Sequence, residues 1–295
     1  MSKGIVTSVT ASCLFAVMYF YSSLLAPLDG EEIFGWRTLL TLPCLTFFML
    51  LSKDWQRVAE LFARVRRSPA LLLGMLGTSW LMGVQLWLFL WAPLHGRSLE
   101  VSMGYFLLPL AMVMTGRLVY GERLSRLQKV AVACAALGVG HELYQHGSFA
   151  WETLVVMIGY PIYFVLRRRC RTDHLGGLWC DMFLLLPWAL YFVFHGPLSA
   201  ADLRAHPGLY GLIPLLGAIS AGALIAYVLA SRLLPFGLFG LLSYVEPVLL
   251  VGVALLLGET IGRDQWLTYL PIWAAVLVLV LEGIKHLLRQ RRRSV

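Results

Sequence analysis

Glu246, Asp181 and Arg37 are ionisable residues set inside long apolar stretches. Inserting one such charge into a bilayer costs about 2.5–3.5 kcal/mol on biological scales, so each needs a reason to be there. Glu246 lies about ten residues into its stretch. A carboxyl group at that depth can carry a proton or hold a cationic cargo; the alternative is a neutral acid hydrogen-bonded to a neighbouring helix. Pro247 beside it has no backbone N–H to donate, and its ring presses on the carbonyl of Ser243, which predicts a loosened turn. Asp181 is six residues into another stretch, roughly 9 Å from its end at about 1.5 Å per residue. It suits either a second protonatable group or a salt-bridge partner joining two helices. Arg37 can grip a carboxylate through its fork, pair with an acid, or extend its head to the surface.

Polar side chains recur along the same stretches in stripes. Ser8, Ser12, Tyr19 and Ser22 share one face of the first, Thr78 and Gln85 the third, Ser220 and Tyr227 the eighth, and Tyr160 and Tyr163 the sixth. Trp80, Trp87 and Trp91 share a face of the third. Such stripes line cavities, or else join helices at under about 1 kcal/mol per contact. The seven histidines fall at stretch ends or in loops. Cys13, Cys44, Cys134, Cys170 and Cys180 show no Cys-x-x-Cys spacing, so neither a metal nor a disulfide is expected. A Gly-rich phosphate loop and a Ser/His/Asp set are both missing, so ATP coupling within the chain and enzymatic activity are not expected, nor is any cofactor.

The elements that must position these groups follow from composition. Of 295 residues, 59% are hydrophobic and 14% charged, against about 25% charged in a soluble domain. Lipid is the expected solvent, and a span of about 20 apolar residues fits ten times. The spans read as 4–26, 31–52, 69–91, 98–118, 126–143, 149–166, 175–194, 208–230, 236–257 and 265–286. The first is too long for a signal-peptide core and more spans follow it, so it reads as a helix. With a cytoplasmic N-terminus, twenty of the 24 Lys and Arg lie inside, three (Arg97, Arg204, Arg263) lie outside, and Arg37 is within a span. That asymmetry predicts both termini in the cytoplasm and an even span count. It also accounts for the net charge of +8 without nucleic acid as a partner. Between Lys53 and Arg67, Trp55, Val58, Phe62 and Val65 mark one face of a short helix lying on the inner leaflet.

The two halves echo each other. Tyr105 and Pro109 precede Gly121-Glu122 in the fourth span; Tyr244 and Pro247 precede Gly258-Glu259 in the ninth. Glu122 and Glu259 sit at helix ends and read as structural. A repeat of five helices is odd in number, so the second copy must run inverted. The reading is an all-α integral membrane protein of two inverted five-helix repeats, 1–145 and 146–295, of the type that places a substrate site near the midplane.

Gln85 to Ala92, Leu99 to Phe106 (Leu-Glu-Val-Ser-Met-Gly-Tyr-Phe), Pro109 and Gly121-Glu122-Arg123 resemble the drug/metabolite transporter superfamily, most closely the EamA-type exporters of the RarD branch. Glu32-Ile33 with Arg37, Asp181 ahead of Pro187, and Tyr244 with Pro247 and Gly258-Glu259 extend the likeness over nearly the whole chain. The resemblance implies a ten-helix carrier of the bacterial inner membrane that moves small metabolites outward, among them amino acids, drugs and opine-type metallophores. Here Trp36-Arg37 stands for the branch's His-Arg, Gln85-Leu86 for its Asn-Trp, and Tyr21 for a frequent lysine, while Glu246 precedes Pro247 where a small residue is usual.

The expectation is therefore a secondary active exporter of a small polar or zwitterionic metabolite. Tyr19, Arg37, Gln85, Trp91, Tyr105, Tyr244 and Glu246 are expected to bind the substrate, and Glu246 and Asp181 to couple protons. Its partners are a small molecule and membrane lipid, and the sequence leaves a homodimer open. An importer or exchanger on the same fold would want more deep basic residues than Arg37. A membrane enzyme would want clustered His, Asp or Lys at one face, which the sequence lacks.

Overall fold

Capping and turn residues set where the helices begin and end. Asp29 accepts from the Glu32 N–H at 2.8 Å while the Glu32 carboxylate reaches back to the Asp29 N–H, a capping box that opens a helix. Pro69 starts another in its first turn. Gly121, at φ 68°, ends one in the left-handed region that glycine adopts without penalty.

The structure is a computed structural model describing residues 2–121, 124–146, 150–196, 205–234, 242, 244–263 and 265–293. The helices are α1 (Ser2–Tyr21), closed by a tight turn at Ser22–Leu25, then α2 (Gly30–Leu51), α3 (Gln56–Arg67), α4 (Pro69–Leu94), α5 (Ser98–Tyr120) and α6 (Arg126–His146). After them come α7 (Trp151–Cys170), α8 (Leu175–His195), α9 (Leu209–Leu233), α10 (Val245–Leu256) and α11 (Trp266–Arg293). Each of the ten expected spans overlaps one of these helices. Among the described residues six segments are long and apolar enough to cross a bilayer, lying in α1, α2, α4, α5, α8 and α9; Val245–Leu256 and Trp266–Leu281 are shorter apolar helices.

Polarity is distributed as lipid requires. Large apolar side chains face outward, among them Phe47, Leu51, Leu73, Leu118, Phe194 and Leu256. Hydroxyls, amides and charges turn inward: Ser12, Thr41, Thr78, Gln85, Ser102 and Ser220 are buried, as are Glu32, Arg37, Glu152 and Asp181. The serine and tyrosine stripe of α1 (Ser8, Ser12, Tyr19) and Ser22 is wholly buried.

The chain divides into two units, each drawing on both halves of the sequence. The first comprises Met1–Ser12, Gly96–Pro161 and Leu229–Val295. In it α6 packs along α11 and α5 along α10, around Leu99, Phe106, Leu110, Ala131, Tyr244, Ala254, Tyr269 and Ile272. Gly104 lets α5 approach α7, since a Cβ there would stand 2.7 Å from Val156 Cβ and 3.1 Å from Thr153 O. The second comprises Cys13–His95 and Ile162–Val228. Here α8 packs against α2, α4 and α3 around Leu45, Met49, Met75, Leu178, Trp179 and Met182.

The short helix expected between Lys53 and Arg67 is α3. Its buried residues are Val58 and Leu61, not Phe62, which is 47% exposed. Trp55 and Val65 pack at the margin of the core. Of the expected apolar face, Trp55, Val58 and Val65 turn to the protein and Phe62 turns outward, because the protein-facing stripe is narrower than the apolar set.

Candidate functional site

Arg37 is carried by α2, seven residues beyond Gly30, about 10 Å along the helix. It is only 2% exposed, so it does not extend to the surface. Its Nε donates to Ser220 Oγ of α9 at 3.0 Å. The guanidinium carbon stands 5.7 Å from the centre of the Phe89 ring on α4, a cation–π contact. Tyr19, fully buried, meets the same ring edge-on at 4.8 Å. Two of the expected substrate residues, Arg37 and Tyr19, thus converge on Phe89, which the sequence reading passed over as one apolar letter among many. Gln85 is buried on α4 as well. Trp91, half-buried, stacks on His95 at 4.0 Å and lies 5.6 Å from Trp87, whose Nε1 donates to Glu31 Oε1 at 3.0 Å. Trp80, expected on the same face, is 65% exposed.

Asp181 sits on α8 in a dense network within the second unit. Thr78 Oγ1 of α4 donates to its Oδ1 at 2.6 Å and the Tyr163 hydroxyl of α7 donates to its Oδ2 at 3.1 Å. Arg167 Nη1 stands 3.8 Å from Oδ2 and donates to the Tyr163 hydroxyl at 2.6 Å. The same guanidinium holds the turn after α7, donating through Nε to Thr172 O at 3.0 Å, through Nη2 to His174 O at 2.7 Å, and through Nη2 to Thr172 O as well. Ser79 Oγ donates to the Asp181 carbonyl at 2.8 Å. Of the two roles open to Asp181, this arrangement has the form of the salt-bridge partner. In the sequence Arg167 is one of three consecutive arginines, Arg167-Arg168-Arg169, and nothing in its spacing marks it as the member that folds inward. Just beyond the span, burial holds the His174 imidazole below its ordinary range, and Arg57 and Arg167 push the same way.

In the first unit Tyr105 of α5 meets Tyr160 of α7, hydroxyl to hydroxyl at 3.1 Å. The expected pairing of Tyr160 with Tyr163 does not form a single feature, since Tyr163 belongs to the Asp181 network. Tyr244 packs in the apolar core. Glu246, half-buried, lies in the first turn of α10, about 15 Å along the axis from Leu256. Pro247 shares that first turn, where a missing N–H has no intrahelical partner to lose. Ser243, the other end of the expected loosened turn, lies outside the described residues, as do Glu122 and Arg204.

A second charged group was missed. Arg97 forks onto Glu152 (Nε to Oε1 2.6 Å, Nη2 to Oε2 3.1 Å) and reaches Glu100 Oε1 at 3.0 Å. The bond to Glu152 holds the Arg97 guanidinium even further above its ordinary range. Beside it Glu259 accepts from the Ser98 and Leu99 N–H groups, both at 2.8 Å, capping α5 as a structural group. The signal was present: Arg97 is one of few cations on the expected outer side, and Glu152 opens an apolar span. Among the described residues no three His, Cys, Asp or Glu gather as a metal site.

No family model matches the sequence. Among known proteins the chain is 44% identical to the chloramphenicol-sensitive protein RarD of Pseudomonas aeruginosa, over 99% of this chain and 98% of that one. It is 41% identical to an uncharacterized transporter of Pasteurella multocida, over 98% and 99%. An uncharacterized transporter of Haemophilus influenzae is 39% identical, over 97% and 96%. A solved crystal structure shares the fold with a TM-score of 0.57 at 17% identity, over 96% of this chain and 98% of that one.

Proposed function

The chain belongs to the family of RarD and the RarD-like transporters, and on that premise we propose that it is a secondary active exporter of the inner membrane. The cargo is a small polar or zwitterionic metabolite: an amino-acid-like compound, a drug or an opine-type metallophore. It crosses by alternating access, with both termini in the cytoplasm.

The observation that carries this reading is Arg37. A guanidinium 2% exposed, deep in an apolar helix, meets a hydroxyl from the other half of the sequence and an aromatic face. Its fork matches a carboxylate in geometry and charge, and the hydroxyl and ring are ligands that a bound cargo can share. Tyr19, Gln85 and Trp91 complete the binding residues assigned to the second unit, and Tyr105, Tyr244 and Glu246 those of the first. The coupling proton goes to Glu246. Twelve residues of α10 span about 18 Å, short of the roughly 30 Å hydrocarbon core, so a carboxyl group in its first turn sits near mid-membrane when its far end is at the surface. Asp181, which accepts from Thr78 and Tyr163 and faces Arg167, is assigned to anchoring.

Ten helices in two inverted repeats, divided between 145 and 146, fit the packing. Leaving α3 aside, α2 and α8 are second in their sets, α5 and α10 fourth, α6 and α11 fifth, and each of these pairs is in contact. A two-fold relation between repeats brings like elements together in this way.

The test is efflux from proteoliposomes loaded with cargo identified by its accumulation in cells lacking the protein. Arg37→Gln should raise the half-saturating concentration at least tenfold with the fold retained. Glu246→Gln should remove the pH dependence of efflux. Unchanged saturation in the first variant defeats the binding assignment, and unchanged pH dependence in the second defeats the coupling assignment.

A further inference from the structure

We propose that α3 and the cations around it form a docking site for the headgroup of an anionic phospholipid in the leaflet on which the helix lies.

The helix is fastened to the protein on one side. Val58 and Leu61, each 1% exposed, join the core of the second unit. Trp55 meets Trp179 edge-on at 5.1 Å. Arg64 is committed as well: its Nη2 donates to Cys170 O at 2.8 Å and its Nη1 to Arg171 O at 3.1 Å, closing carbonyls at the end of α7. What remains is a second flank. Ala59, Phe62 and Arg66 follow at three- and four-residue spacing, and all are exposed.

The setting of that flank identifies its occupant. The helix is tied at both ends to lipid-facing helices: Leu50 and Leu51 at the end of α2 and Leu73 near the start of α4 are 55%, 68% and 71% exposed. α3 therefore lies at the boundary of the apolar surface. A phenylalanine there enters the acyl margin, as amphipathic helices do when they lie in the interface plane. Lys53, Arg57, Arg66 and Arg67 are exposed around it. Against them stand Asp54, which faces Arg57 at 3.7 Å, and Glu60. The excess is positive, and a ring beside it wants apolar chains; an anionic phospholipid supplies both from one molecule. A zwitterionic lipid lacks the net charge, and free phosphate lacks the chains.

The experiment uses the full chain in neutral detergent, titrated with phosphatidylglycerol, phosphatidylcholine or inorganic phosphate, with thermal unfolding as the readout. Phosphatidylglycerol should raise the melting temperature saturably, and the other two should not. R66Q/R67Q should melt like the wild type in phosphatidylcholine, which shows that it folds, and bind phosphatidylglycerol about 30-fold more weakly, from two cations near an anionic surface. R126Q/K129Q removes the same charge from an exposed stretch of α6 and should leave the affinity unchanged. The proposal is overturned if both double variants lose affinity equally, if R66Q/R67Q loses none, or if inorganic phosphate reproduces the effect. These readouts require no transport, so they stand apart from the proposed export.

Discussion

Replacing Asp181 by Asn keeps its shape and one acceptor oxygen, enough for Thr78 or Tyr163 but not for both, and removes the charge facing Arg167. Both partners are buried, with side chains 1% and 10% exposed. Breaking a buried pair from one side costs about 3–5 kcal/mol, because the other charge is left uncompensated. Arg167 keeps its donations to the Tyr163 hydroxyl, Thr172 O and His174 O, which places the cost at the lower end, about 3 kcal/mol, or roughly a 150-fold shift in the unfolding equilibrium. Thr78→Val removes one hydrogen bond to a charged group and should cost about 1.5 kcal/mol. The assay is unfolding in mixed micelles of a mild detergent with a rising fraction of dodecyl sulfate, followed by circular dichroism. A cycle with Arg167→Met separates the pair from its surroundings: the double variant should fall short of the summed single effects by more than about 1 kcal/mol. Additive effects, or an Asp181→Asn variant as stable as the wild type but with altered pH dependence of transport, would falsify the anchoring role and return Asp181 to proton coupling.

Three further outcomes are expected. Arg97→Gln leaves Glu152 buried without its cation and should cost about 2 kcal/mol, less than a fully buried pair because Arg97 is 38% exposed; the loss should shrink in Arg97→Gln/Glu152→Gln. Gly35→Ala places a Cβ 2.8 Å from both Ala189 O and a Val193 methyl and should cost about 1–3 kcal/mol in the same micelle assay, whereas Gly211→Ala, with nothing within 4 Å, should cost little. The His174 imidazole, which as N-cap of α8 accepts from the Gly177 N–H, is held below its ordinary value of 6.5 by burial and by Arg57 and Arg167. The unfolded chain then binds the proton more readily, so stability is full above pH 6.5 and falls as the pH drops through the lowered folded value. His174→Asn, a cap that does not titrate, should lack that component of the acid loss.

Much of the architecture is legible one segment at a time. A bilayer demands stretches of a set length with their backbone bonds closed internally, so composition and spacing locate the helices. The Asp29–Glu32 cap, the turn at Gly121 and the α3 helix are equally local, since each depends on residues within a few positions of one another. The deep placement of Arg37 and Asp181 also follows from where they fall in an apolar run. Their partners do not. Ser220 is 183 positions from Arg37 and Thr78 is 103 from Asp181. Which side of a helix meets which neighbour depends on its rotation about its own axis, and a rotation of 100° separates Leu61, in the core, from Phe62, outside it. The same angle makes Arg167 an internal clamp while Arg168 and Arg169 remain exposed. Hydropathy measures the cost of burying a residue, whereas packing chooses the group that offsets that cost, and this choice is made between segments far apart in the chain.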